Sequence, residues 1–209
     1  MRPIRHGELT LALHELSAKR GPSLLLLHAL FGAGRDWLGD ADAWPGSVHA
    51  LDFAGHGESS WRPGGAYTPE LFAADVDAAL AALGPSAIAG VGLGAYVAVL
   101  VAGARPDLVP ATLLVPGPGL DGEPLPAPPV VEPVAPQPDG SDPMVGTCAR
   151  DVRPPDYAIA FAARARSLLL AEDGTSRPPW WAALRGSPNV RGAETNRRRA
   201  LADLAGVVG

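Results

Sequence analysis

The stretch Ser86-Ala87-Ile88-Ala89-Gly90-Val91-Gly92-Leu93-Gly94-Ala95-Tyr96 decides the fold. It opens as a short apolar run, places glycine at 90, 92 and 94, and continues as a small-residue, apolar segment to 104. Small residues at those three positions let a strand turn sharply into a helix whose backbone packs close to the sheet. Outward from this turn, residues 23–28 (SLLLLH) form a continuous apolar run, the pattern of a strand covered on both faces in a parallel sheet. Residues 47–53, 111–115 and 167–172 read as further strands, and 8–16 (ELTLALHEL) alternates like an edge or hairpin strand. Between 69 and 83 the apolar residues Leu71, Phe72, Val76, Ala79, Leu80 and Leu83 fall at helical spacing. Thr68 is placed to cap that helix, Pro69 to begin it and Gly84 to end it. Helices are also expected over 93–104, 155–166, near 179–185 and, with a basic face, 194–204. Strands alternating with helices predict an α/β, doubly wound, mostly parallel sheet with helices on both faces.

The rhythm breaks at 116–143, where repeated prolines from Pro116 to Pro143 leave no room for a helix or central strand. The expected organisation is a single domain over 1–209 carrying an irregular, proline-rich insertion at 116–154, a reduced lid. The length of 209 residues suits one domain. A net charge of −5 gives no electrostatic footprint for nucleic acid. The single cysteine, Cys148, excludes an internal disulfide and a cysteine-based zinc site, and fits a reducing, cytoplasmic setting. No apolar run is long enough to span a membrane, and the N-terminal residues lack the apolar core of a secretory signal. All five histidines (His6, His14, His28, His49, His56) lie in the first 56 residues. A mechanism that needs a histidine from the C-terminal half therefore has none.

The turn at 90–94 resembles the nucleophile elbow, G-x-S-x-G, of the α/β-hydrolase superfamily. Other segments agree in order and spacing. Leu27-His28-Ala29-Leu30-Phe31-Gly32 is similar to that family's H-G-x-x-G oxyanion loop, with Ala29 in place of a glycine. Asp52-Phe53-Ala54-Gly55-His56-Gly57-Glu58-Ser59 resembles its D-x-P-G-x-G-x-S loop, and Pro106-Asp107-Leu108-Val109 also fits. The resemblance implies an α/β-hydrolase-like fold and an oxyanion hole built from the amides of Leu30 and Leu93. It also implies a nucleophile at position 92, an acid after the strand at 167–172, and a late histidine base. Gly92 has no side chain, no histidine follows His56, and Asp173 is the candidate acid. The form Gly-Val-Gly-Leu-Gly-Ala-Tyr also resembles the elbow of the N-myc downstream-regulated gene family, non-catalytic members of this fold.

Two functions are carried forward. The first is a catalytically degenerate protein that binds a small-molecule ligand or a partner at the old active site, with no cofactor and no metal. The second is an active hydrolase of small ester or acyl substrates, with His28 or His56 as an unconventional base. His28 reads first as a prop that holds the oxyanion loop by hydrogen bonds, and His56 and Asp52 as structural members of their glycine-rich loop. A dinucleotide fingerprint, Gly90-x-Gly92-x-x-Ala95, is disfavoured because the next strand ends in Pro116 rather than an acidic residue. Cys148 has no histidine near it in sequence, and Arg197, Arg198 and Arg199 read as a solvated helical face. Of Trp180 and Trp181, one is expected to pack on the sheet and the other to be partly exposed. Neither the ligand nor the oligomeric state follows from the residues.

Overall fold

A computed structural model describes residues 1–61, 65–120, 142–172 and 178–208. Among these residues, eight strands form one sheet: β1 (Arg2–His6), β2 (Leu9–Ala18), β3 (Leu24–Leu27), β4 (Ser47–Leu51), β5 (Ala87–Val91), β6 (Thr112–Val115), β7 (Leu168–Ala171) and β8 (Val190–Ala193). Their spatial order is β1-β2-β4-β3-β5-β6-β7-β8. The first two pairings, β1 with β2 and β2 with β4, are antiparallel; all the others are parallel. Among the described residues, five α-helices accompany the sheet: α1 (Pro69–Leu83), α2 (Leu93–Ala104), α3 (Pro155–Ala162), α4 (Pro179–Leu184) and α5 (Arg197–Val208).

The strand period of two sorts the apolar runs onto two faces. Leu25, Leu27, Ile88, Leu114, Leu168 and Leu170 point to one side, where they meet residues of α1 to α4. Leu24, Leu26, Ala87, Ala89, Leu113, Val115 and Leu169 point to the other, against Trp37, Trp44 and the Ala200, Leu201 and Leu204 face of α5. Every residue of β3 and β7 is buried. That double burial is why their sequences show no alternation.

Helix α1 begins and ends where its sequence directs. The Thr68 hydroxyl accepts the Leu71 amide at 3.3 Å, and Gly84 takes φ 81° at the exit, a conformation glycine adopts freely.

Several expectations are corrected. Strand β1, absent from the sequence reading, forms a hairpin with β2 through Gly7 at φ 59°. Strand β8 precedes the last helix, which starts at Arg197 rather than 194. The short, mostly exposed VRGA gives no apolar pattern to announce an edge strand. Helix α3 stops at Ala162, short of 166. Pro143–Arg150, inside the segment read as irregular, forms a 3-10 helix whose first turn is capped by the Asp142 carboxylate on the Met144 amide at 3.0 Å. Trp180 and Trp181 are both buried, because α4 packs against α3 and sets Trp180 edge-on to Tyr96 of α2. Arg197 and Arg198 are not a free face. Arg197 pairs with Asp40 at 2.8 Å and lies over the Trp37 ring, and Arg198 grips Asp42, so the two pin α5 to the 40–42 turn. Most of the proline-rich stretch, 121–141, is outside the described residues. Among those described, no helix is long and apolar enough to cross a membrane.

Candidate functional site

Gly92 joins β5 directly to α2 with φ 53° and ψ −111°, a sharp elbow in the left-handed half of conformational space. The flanking glycines are required by contact. A Cβ on Gly90 would lie 2.2 Å from the Gly94 oxygen, and one on Gly94 would lie 2.6 Å from the His28 oxygen. The helix therefore starts close against the ends of β3 and β5, and the two amides expected to form an oxyanion hole do converge. Leu30 N–H and Leu93 N–H donate to one oxygen, at 3.2 and 3.0 Å.

That oxygen belongs to the chain itself: it is the carbonyl of Pro118. Leaving β6, the main chain turns back over the elbow as Pro116-Gly117-Pro118-Gly119-Leu120. A Cβ built on Gly92 would sit 2.1 Å from the Pro118 oxygen and 2.6 Å from the Gly117 carbonyl carbon. Gly119, at φ 120°, passes so near that its own Cβ would lie 2.8 Å from the Leu93 Cβ. The missing side chain at 92 and the strap over it are thus one steric fact. The strap occupies the volume in which a nucleophile's Cβ and a bound carbonyl would stand.

His28 is buried and spends both ring nitrogens on the main chain. The Phe53 amide can only donate, so Nε2 accepts it at 3.1 Å, and the proton on Nδ1 goes to the Ala29 oxygen at 2.7 Å. Burial lowers its pKa, with the bond to Ala29 and the Asp52 charge opposing, so the ring is held as this neutral tautomer. His56 is fully buried, its ring 4.9 Å from that of His28 and packed near Phe53 and Phe72, with Nδ1 3.2 Å from the Ala54 oxygen.

Asp52 organises the adjoining loops. Its carboxylate accepts Gly34 N–H at 2.6 Å, Glu58 N–H at 2.8 Å and His14 Nε2–H at 2.9 Å. Burial pushes its pKa up, but those two amides and His14 together outweigh it and hold the carboxyl below its ordinary value. Ser59 and Ser60 hold the same loop to β2 through the Ala12 and Thr10 amides.

Asp173, the candidate acid, lies outside the described residues. Its neighbour Glu172 is paired with Arg185. With Val115, Pro116, Ala171 and Thr195, Glu172 lines a cavity of about 170 Å³ across the C-terminal ends of β6, β7 and the residues after β8. This is where the family resemblance places an acid and a base. Sequence reasoning did not find Thr195 because it did not find β8. Nor did it find the strap contact, for which the only local signal was the turn-forming Gly117-Pro118-Gly119.

A buried carboxylate outside these expectations is Asp75 on α1. It accepts the Ala54 amide at 2.9 Å and lies 2.6 Å from His6 Nδ1. Burial raises its pKa to about 6, against the lowering influence of those two partners. Among the described residues, no group of three or more His, Cys, Asp or Glu side chains is gathered to hold a metal ion.

Comparison with known proteins bears on this geometry. A family model described as the alpha/beta hydrolase family matches residues 24–208. A 68-residue stretch is 40% identical to the esterase Rv0045c of Mycobacterium tuberculosis (strain ATCC 25618 / H37Rv), covering 32% of this chain and 23% of that protein. The chain therefore matches about a quarter of the length of that curated relative. Among solved structures, the hypothetical protein PA1622 from Pseudomonas aeruginosa PAO1 superposes with a TM-score of 0.71 at 21% identity, over 97% of this chain and 96% of that one. An alpha/beta hydrolase from Sphaerobacter thermophilus DSM 20745 gives 0.68 at 18% identity over the whole of both chains. At such identities the two structures speak for the fold.

Proposed function

The chain belongs to the alpha/beta hydrolase family, and from that premise we propose that it is a pseudoenzyme, a member that binds at its old active site instead of turning over an ester there. One observation carries this reading: the Pro118 carbonyl sits on the Leu30 and Leu93 amides, in space that any side chain at position 92 would need. A Ser–His–acid mechanism requires an activated hydroxyl with a base in hydrogen-bond reach. Gly92 supplies no hydroxyl, no histidine follows His56, and His28 has both nitrogens engaged. The cradle keeps its capacity to hold one oxygen acceptor, which suits a small carbonyl or carboxylate ligand. Cytoplasmic residence, with no nucleic acid or membrane partner, belongs to the same proposal.

The test is turnover of p-nitrophenyl acetate and butyrate. The expected rate equals that of a heat-inactivated control. A second reading, an active hydrolase of small ester or acyl substrates, draws on the esterase relative and on the two adjacent imidazoles, His28 and His56. A saturable rate that disappears in His28→Gln or His56→Gln would favour it over the first.

A further inference from the structure

We propose that the groove between α1, α2 and α3 is a binding site for a small organic cation, a free alkylammonium ion with a short aliphatic chain. The site lies apart from the elbow and does not depend on the reading proposed for the cradle.

The groove has a volume of about 120 Å³. An apolar cavity of ~150 Å³ takes a benzene ring, so this space suits a ligand slightly smaller than that. Helix α2 lies between the other two and supplies the floor, Leu100, Val101 and Ala104. Helix α1 supplies one wall with Glu70 and Asp77, and α3 the other with Tyr157 and Phe161. At about 1.5 Å per residue, Leu100 stands roughly 12 Å along α2 from Gly92.

The lining selects a cation. Glu70 and Asp77 are two turns apart on α1, so both carboxylates fall on the same side of the helix. The Tyr157 and Phe161 rings stand edge to face, 5.1 Å between centroids at 63°, and form an aromatic corner on α3. A ring face attracts a cation within about 6 Å of its centroid, and a carboxylate attracts it as well. Among the described residues, no Lys, Arg or His lines the groove. An anion would meet two like charges there, and a neutral alcohol would gain from neither the charges nor the rings.

The arginine partners of the two carboxylates decide where the ammonium goes. Arg153 holds both Glu70 oxygens, at 2.7 and 3.2 Å. Arg105 takes only Asp77 Oδ2, at 2.6 Å, while its Nη1 turns back to the Ala104 oxygen at 3.4 Å. Asp77 Oδ1 is therefore left to accept an ammonium N–H. Both side chains of the Asp77–Arg105 pair are more than a third exposed, and such a pair is weak enough to share its carboxylate with a second cation. The alkyl chain then lies on Leu100 and Val101 and covers ring surface of Tyr157, which is 38% exposed.

The experiment titrates n-butylammonium chloride into the full chain at constant ionic strength, with sodium butyrate and 1-butanol as controls. The Tyr157, Phe161 and Leu100 side-chain resonances are followed by NMR. Butylammonium should shift all three saturably with a Kd on the order of 1 mM, and both controls should bind at least about tenfold more weakly. Asp77→Asn should weaken butylammonium binding at least about fivefold, and Tyr157→Ala about threefold. Arg105→Gln removes the competing cation and should tighten binding about twofold or more. Asp77→Asn and Arg105→Gln alter exposed polar groups only, so the test stands even if Tyr157→Ala does not fold.

Shifts that fail to saturate would overturn the proposal, as would equal binding of butanol or butyrate. Unchanged affinity in Asp77→Asn, or no tightening in Arg105→Gln, would overturn it too. Nα-acetyl-lysine methylamide carries the same ammonium on a peptide backbone. It should bind at least about threefold more weakly, because that backbone finds no place in so small a space. Equal or tighter binding would assign the groove to a lysine side chain of a protein partner and overturn the free-amine assignment.

Discussion

Gly92→Ser is expected to destabilise the fold by about 2–4 kcal/mol, and by up to about 7 kcal/mol if Leu120 leaves the core, without creating an esterase. The structure supplies each part of that figure. A side chain at φ 53° costs about 1 kcal/mol in backbone strain. The new Cβ would fall 2.1 Å from the Pro118 oxygen, well inside the ~3.5 Å of ordinary contact, so the strap must leave. Two hydrogen bonds are then exchanged for water, at about 0.5–1.5 kcal/mol each. If Leu120 follows the strap out of its buried position, about 1.5–3 kcal/mol of apolar burial goes with it. The serine so placed has no base beside it, and an unassisted hydroxyl is a weak nucleophile. The expected kinetics are a slow, burst-like acylation by an activated ester with little turnover. Urea unfolding midpoints of parent and variant, compared at equal slope, measure the first effect. A p-nitrophenyl acetate time course with mass spectrometry for an acyl adduct measures the second. A stability loss below about 0.5 kcal/mol would refute the steric argument, because a surface glycine could give the same. Steady multiple turnover would mean that a base stands over the elbow, with His28 and His56 the first residues to mutate.

Three further outcomes are expected. Asp75 has a folded-state pKa raised to about 6 from an ordinary 3.8, so between those values the folded chain holds a proton that the unfolded chain has lost. The Asp75 contribution to stability should therefore be greatest below pH 4 and be lost as pH rises through 6, by about 2–3 kcal/mol at full effect, and Asp75→Asn should remove that component from the pH profile in urea titrations. Cys148 is buried with its thiol near the Tyr67 oxygen, and burial raises its pKa to about 11. Iodoacetamide should label it slowly in the native protein and rapidly in urea; fast native labelling at neutral pH would contradict its placement. His28→Ala leaves the buried Phe53 amide and Ala29 carbonyl without their partner and should cost about 2–4 kcal/mol in chemical unfolding, an effect that a surface histidine could not produce.

How much of this was legible beforehand depended on the range of the interaction. The sequence by itself determined the parallel core. The apolar runs at 24–27 and 168–171 have the pattern of strands covered on both faces, and the glycines at 90 and 94 leave room for a helix packed hard against a strand. It also determined the ends of α1, through a threonine cap and a glycine exit that act within one turn of the chain. That position 92 is glycine and that no histidine follows His56 could be read directly from residue identities. Edge strands escaped: β8 has one covered side and four residues, too few to leave a pattern. The burial of both tryptophans followed from where α4 comes to rest, which no local rule encodes.

Only the tertiary structure decided what fills the cradle. Leu30, Leu93 and Pro118 are far apart along the chain and become neighbours because β3, β5 and β6 lie side by side in the sheet. Hydrogen bonds between such segments depend on the register and spacing of assembled strands, and a sequence read one window at a time carries neither.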